Sequence, residues 1–266
     1  MHPKKSLGQH FLGCSWVVST LIKTANVSSK DIVLEIGPGT GILTNELAKC
    51  AGHVIAVEKD ERLAEALKQQ LDRNKTKNIE IIIGDVLSLL KSDFNISKSD
   101  FNSYKVVANI PYYLTSRLIR LLLEAKMRPN MIVLTIQKEV AKRLAAKPPH
   151  INLLALSVQA FGNPKIIKTV PAGCFYPKPK VDSAIISISD ISDEFFQKNN
   201  LRPERFFEIA RFGFSQKRKK LLSVLGKKFG KQKIAGAFSA ANISPDSRPQ
   251  ELSLGQWAEV AQGLRS

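Results

Sequence analysis

Acid is scarce in this chain. Against 40 Lys and Arg stand 23 Asp and Glu, a formal net charge of +17 over 266 residues. That deficit favours a polyanionic partner, nucleic acid before a membrane surface. Long apolar runs are missing too. No stretch nears the roughly 20 residues that cross a bilayer, so no membrane partner is expected. Cysteine is reduced to Cys14, Cys50 and Cys174, odd in number and widely spaced. That pattern argues against a disulfide framework and for a reducing, cytoplasmic compartment. The cysteines and the four histidines show no ligand spacing, so no metal is expected. The first thirty residues hold no acid, as in a transit peptide. They lack a small-residue cleavage site after an apolar core, however, and are expected to belong to the mature protein.

What is present begins with a chain long enough for one large or two modest cores. The most informative stretch is Ile32–Thr44, IVLEIGPGTGILT. A short apolar run reads as a buried parallel strand. Glycines at 37, 39 and 41 then allow a sharp turn into a helix and close approach of a ligand to the main chain. Such a turn is also compatible with a plain strand–turn–helix. The spacing is not the Gly-x-Gly-x-x-Gly of a dinucleotide site. Glu-x-Gly-x-Gly-x-Gly instead resembles the first motif of S-adenosylmethionine-dependent methyltransferases, which makes Gly37 and Gly39 candidate cofactor contacts.

Acids follow at strand ends. His53–Glu58 reads as a strand whose final Glu58 lies about 20 residues past the loop, where an acid can accept from both ribose hydroxyls. Asp60 opens the next helical pattern. Ile79–Ile83 is a third strand, and Asp85 beyond it can accept from an adenine amino group, with the Val86 N–H beside it. Lys91–Ser103 is polar and unpatterned, as a surface loop would be. A fourth strand from Lys105 delivers Asn109-Ile110-Pro111-Tyr112. An exocyclic adenine amine is a poor nucleophile because its lone pair is delocalised into the ring. Acceptors on its N–H groups, the Asn109 side-chain oxygen and the Ile110 carbonyl, would pull the nitrogen towards a tetrahedral shape. Pro111 sets the turn, and Tyr112 offers a face for the base.

At this point a family resemblance covers most of the chain. KKSLGQHFL, NIPYYLTS, QKEVAKRL, GCFYPKPKVDS, ARFGFSQKRKKL and RPQELSLGQW resemble the ribosomal RNA adenine dimethyltransferases of the small subunit. The resemblance implies an N-terminal arm folded over the cofactor, with His10 and Leu12 as contacts, although the family usually has Asn where His10 stands. The loop KPPHIN also departs from the family, which usually carries a longer polar insert there. Phe175 can supply a second aromatic face opposite Tyr112 for an extruded base, or it is a core plug. Lys178 and Lys180 can hold phosphates.

The fold expected is α/β: a seven-stranded Rossmann-like methyltransferase sheet over residues 1–190, then a small all-helical RNA-binding domain over 191–266. In the latter, Lys217, Arg218, Lys219 and Lys220 form a basic cluster. A charge run is often only a solvated face, but here it adds to an already basic chain. The resemblance implies S-adenosylmethionine as cofactor, and dimethylation of N6 on two adjacent adenosines near the 3′ end of small-subunit rRNA. The partner would be the precursor particle, and the enzyme a monomer. Alternatives are a large-subunit rRNA methyltransferase conferring antibiotic resistance, a DNA adenine methyltransferase, and a non-catalytic nucleic-acid-binding relative.

Overall fold

The computed structural model describes residues 3–4, 7–91 and 103–264; the surface loop expected at Lys91–Ser103 lies, apart from its ends, outside them. In chain order the first elements are β1 (Phe11–Leu12), α1 (Ser15–Ala25), β2 (Ile32–Ile36), α2 (Ile42–Cys50), β3 (His53–Glu58), α3 (Glu61–Arg73), β4 (Ile79–Ile83) and α4 (Val86–Leu89). Then come β5 (Lys105–Asn109), α5 (Thr115–Glu124), β6 (Met131–Gln137), α6 (Lys138–Leu144), α7 (Leu153–Gln159), β7 (Asn163–Val170), β8 (Phe175–Tyr176) and β9 (Ser183–Ser189). The last helices are α8 (Glu194–Lys198), α9 (Pro203–Phe214), α10 (Leu221–Phe229), α11 (Lys231–Ala240) and α12 (Leu254–Gly263).

Seven strands make one sheet in the order β4-β3-β2-β5-β6-β9-β7. Pairing is parallel from β4 to β6 and antiparallel where β9 joins β6 and β7. The apolar runs Ile32–Ile36 and Met131–Gln137 are central because they can be buried on both faces. Edge strand β7 carries Lys165 and Lys168 and a register irregularity between Ile166 and Lys168, features that discourage further pairing. The chain leaves β2 in one direction for β3, and β5 pairs on its other side. That reversal opens a crevice at the carboxyl ends of β2 and β5, where ligands of open α/β sheets bind.

A separate pair, β1 with β8, joins residues far apart in sequence: Phe11 opposite Tyr176 and Leu12 opposite Phe175. This pairing corrects one expectation. Cys14 and Cys174 flank the two strands, their Cα atoms 5.1 Å apart, and they form a disulfide; Cys50 is the free thiol. Spacing of 160 residues along the chain says nothing against a bond once an antiparallel pair brings the two ends together.

The chain divides into two units. One comprises Met1–Ala141 and Asn163–Ile191; the other, Lys142–Gly162 and Ser192–Ser266. Residues 142–162, read from sequence as part of the sheet domain, thus belong to the helical unit. The reason is packing: Phe161 lies against Phe196 and Phe207, and α7 packs on α9. Within this unit Trp257 is fully buried, its Nε1–H donating to the Pro249 carbonyl at 3.2 Å. Ser253 and Gln256 cap α12 reciprocally.

Candidate active site

The crevice of the sheet unit is a cleft open to solvent, and all the candidate cofactor and base residues line it: His10, Leu12, Gly37, Gly39, Glu58, Asp85, Val86, Asn109, Ile110, Pro111, Tyr112 and Phe175. Gly37, Gly39 and Gly41 adopt φ of 68°, 59° and 80°, a region that glycine enters without steric cost. At Gly41 a Cβ would also stand 2.5 Å from Leu67 Cδ1 of α3. At Gly39 one would meet the Phe11 ring at 3.2 Å, so the N-terminal arm lies over the glycine loop.

Three carboxyl groups face this side of the cleft. Glu58 is 6% exposed; its Oε2 accepts the Gly39 N–H at 3.1 Å and its Oε1 the Asp60 N–H at 2.9 Å. Burial raises its pKa. The Asp85 Oδ1 accepts the Leu87 N–H at 2.9 Å, capping α4, and its Oδ2 accepts from Lys59 at 2.9 Å, which lowers its pKa. Glu35 is 1% exposed and its Oε2 has no hydrogen-bond partner. Burial pushes this carboxyl up to about 8, and the nearby Glu58 charge acts in the same sense.

Asp60 opens α3, as expected. It stands at the N-cap of α3 but makes no side-chain cap bond. Its buried carboxylate instead accepts from Lys4 at 3.2 Å, Gln9 at 3.1 Å and Arg62 at 2.8 Å. The Arg62 guanidinium beside it holds the carboxyl well below the usual range. One end of the arm is therefore anchored on the loop after β3, and the other on β8.

On the opposite side, β5 ends in Asn109. Its Nδ2 donates to the His10 carbonyl at 3.2 Å, which leaves Oδ1 as the acceptor end of the amide. Pro111 starts a short turn through Leu114, and the Leu114 N–H donates to the Pro111 carbonyl at 3.0 Å. The Tyr112 hydroxyl lies 2.7 Å from Ser183 Oγ. Phe175 is buried at 5% exposure. The ring stacked on Tyr112 is that of His10, with centroids 5.5 Å apart and planes at 25°.

The candidate phosphate contacts lie elsewhere. Lys178 and Lys180 are exposed on the loop after β8, and Lys217, Arg218, Lys219 and Lys220 are exposed between α9 and α10. The Lys220 ammonium pairs with Asp246 at 2.6 Å. Among the described residues no cluster suits a metal ion, and no helix is long and apolar enough to cross a membrane.

A family model described as "Ribosomal RNA adenine dimethylase" matches residues 1–265. The chain belongs to this family. A "Ribosomal RNA small subunit methyltransferase A" from Dehalococcoides mccartyi is 40% identical over 262 residues, covering 97% of this chain and 87% of the relative. The solved dimethyladenosine transferase from Plasmodium falciparum superposes with a TM-score of 0.76 at 26% identity, over 94% of this chain and 96% of its own. The solved 23S rRNA methyltransferase ErmE gives 0.75 at 25% identity, over 96% and 99%.

In this rRNA adenine dimethylase, sequence reasoning assigned no site role to Glu35, Lys59, Phe11 or Gln9, and none to Asp60 beyond starting a helix. A signal for Asp60 was available: it lies two residues beyond Glu58, at the crevice end of β3. No pattern could have announced the Phe11 ring over Gly39, because the contact depends on where the arm returns.

Proposed function

We propose that this enzyme transfers methyl groups from S-adenosylmethionine to N6 of two adjacent adenosines in the 3′-terminal hairpin of small-subunit rRNA, two per adenosine. The observation carrying this reading is the Asn109 amide, its NH₂ committed to the arm, set in the same cleft as Gly37, Gly39, Glu58 and Asp85. The donor set suits that cofactor. Glycines leave the loop bare, and Glu58 and Asp85 beside it suit a nucleoside's hydroxyls and amine rather than a phosphate. When bound, the cofactor supplies an electrophilic methyl on a sulfonium.

The chain's own residues do the rest. Glu58 presents its remaining lone pairs to ribose hydroxyls while it steadies Gly39. Asp85 presents an acceptor to an adenine amine, beside the Val86 N–H. Asn109 Oδ1 and the Ile110 carbonyl accept from the target amine, which localises its lone pair. Tyr112 and Phe175 hold the base by its faces. Catalysis is then chiefly positioning of nitrogen, carbon and sulfur in line. The product ammonium is acidic enough to lose its proton to water. Lys178, Lys180 and the 217–220 cluster take RNA phosphates. The substrate is the ribosomal precursor particle, and the enzyme works as a monomer.

The test incubates purified enzyme with labelled cofactor and separately purified small and large subunits that lack the modification, and reads methylated adenosine by mass. Dimethyladenosine confined to small-subunit RNA is expected. Label in large-subunit RNA alone would transfer the assignment to the ErmE-like reaction.

A further inference from the structure

We propose that His10 is a positioning residue for the methyl-accepting base: its ring and main chain join the Asn109 amide, the Tyr112 ring and the turn at Pro177 into one frame. The inference rests on the reading of this cleft as an adenine methylation site and gives His10 a base-side role beside the cofactor contact that the resemblance implies.

Register is the starting point. β1 and β8 pair Phe11 with Tyr176 and Leu12 with Phe175, so the next position of the ladder sets His10 opposite Pro177. Proline has no N–H and cannot continue the ladder. The His10 side chain takes up its carbonyl instead, with Nδ1 2.6 Å from Pro177 O. A carbonyl only accepts, so Nδ1 carries a proton and is the donor; in the neutral ring Nε2 is then the acceptor. The imidazole is pinned at the point where the two-stranded pair ends.

From that position it acts on both base-holding residues. The Tyr112 hydroxyl is fixed by Ser183 at 2.7 Å. A hydrogen bond at the far end of a phenol sets where the ring stops but not its rotation about the axis through it. The imidazole stacked on its face, at 5.5 Å and 25°, sets that rotation. The main chain of the same residue settles Asn109. A side-chain amide can turn over, exchanging its oxygen for its NH₂. The His10 carbonyl, 3.2 Å from Asn109 Nδ2, favours the NH₂ and would oppose an oxygen. Only the retained orientation keeps Oδ1 as the acceptor that the reaction needs. If the imidazole is lost, the carbonyl is held less firmly, and both constraints loosen together.

Three variants of the full chain separate the parts. His10→Asn keeps an N–H donor and loses the ring; His10→Phe keeps the ring and loses the donor; His10→Ala loses both. Cofactor affinity is followed by calorimetry and turnover is read at saturating cofactor, so that a lost cofactor contact does not count as lost positioning. Single-turnover methylation of small subunits should fall about tenfold for Asn and Phe and about a hundredfold for Ala, the cost of a small misplacement of reacting groups. Monomethyladenosine should accumulate, because the second transfer must present the amine again. The ¹⁵N spectrum of His10 in the ligand-free protein should show a protonated Nδ1, which needs no RNA to observe. The proposal is overturned by an Nε2-protonated neutral ring. It is equally overturned if His10→Ala loses cofactor affinity at unchanged turnover, or if all three variants match the parent. A parent enzyme that leaves small-subunit RNA unmethylated while binding cofactor would instead remove the functional reading, and the tautomer would still test the frame.

Discussion

On the cofactor side of the cleft, groups are held by neighbours in the chain. Glu58 accepts from Asp60, two residues on, and from Gly39, 19 residues back; Asp85 accepts from Leu87. On the base side, Asn109 is held by His10, 99 residues away, and Tyr112 by Ser183, 71 away. Main-chain bonds of the first kind form wherever the strand–loop–helix unit forms. Those of the second kind depend on the arm, β8 and β9 being in place at once. The contrast teaches that the cofactor-side acids are oriented by main-chain bonds close in sequence, whereas base positioning is a property of the assembled unit.

The largest test of that contrast breaks the tether between arm and β8. Cys14→Ser should lower stability by about 4 kcal/mol relative to the oxidised parent, the scale for closing a long loop. The gap should vanish in reductant, as read by denaturant unfolding. An equally stable variant in non-reducing buffer would mean that the bond contributes nothing. Next, Asn109→Ala should cost about 10²–10³ in turnover with cofactor affinity nearly intact, as for loss of one preorganised polar group. Glu58→Ala should do the reverse, weakening cofactor binding about 10- to 100-fold, the range for a hydrogen bond to a charged group. Equal losses of binding in both, with turnover retained, would erase the distinction between the two sides.

A pH experiment isolates Glu35. Its folded pKa of about 8 exceeds the ordinary 4.5, so the folded state binds a proton that the unfolded state has released between those values. Stability should therefore fall as pH rises from about 4.5 to about 8 and level off above, by about 5 kcal/mol in all. Glu35→Gln should flatten that fall, measured as the difference between the two unfolding curves across pH. The smallest effect is expected in the helical unit. Replacing Lys217, Arg218 and Lys219 by Ala should reduce the slope of log affinity for RNA against log salt by about 2–3. It should leave cofactor affinity unchanged.

Much of this is legible in the sequence. Strand ends at Glu58, Asp85 and Asn109 follow from apolar runs that stop in a polar residue, and all three reach one crevice because parallel strands point their carboxyl ends the same way. The arm was legible only as a motif. Its contacts with Asp60, Gly39 and Pro177 join positions with no periodic relation. The grouping of 142–162 with the helices was hidden for a related reason: an apolar helix declares that it will be buried, not against what.

The order of residues along this chain by itself determined which segments form the seven strands of the main sheet, where the glycine loop turns, and which acids stand at or just past strand ends, since these depend on periodicity and backbone freedom within a few residues. Only the tertiary structure decided that Cys14 meets Cys174, that Asp60 anchors the arm instead of capping its helix, and that His10 rests on Tyr112. Those contacts cost chain entropy over long separations and form only because the sheet has already brought their ends together.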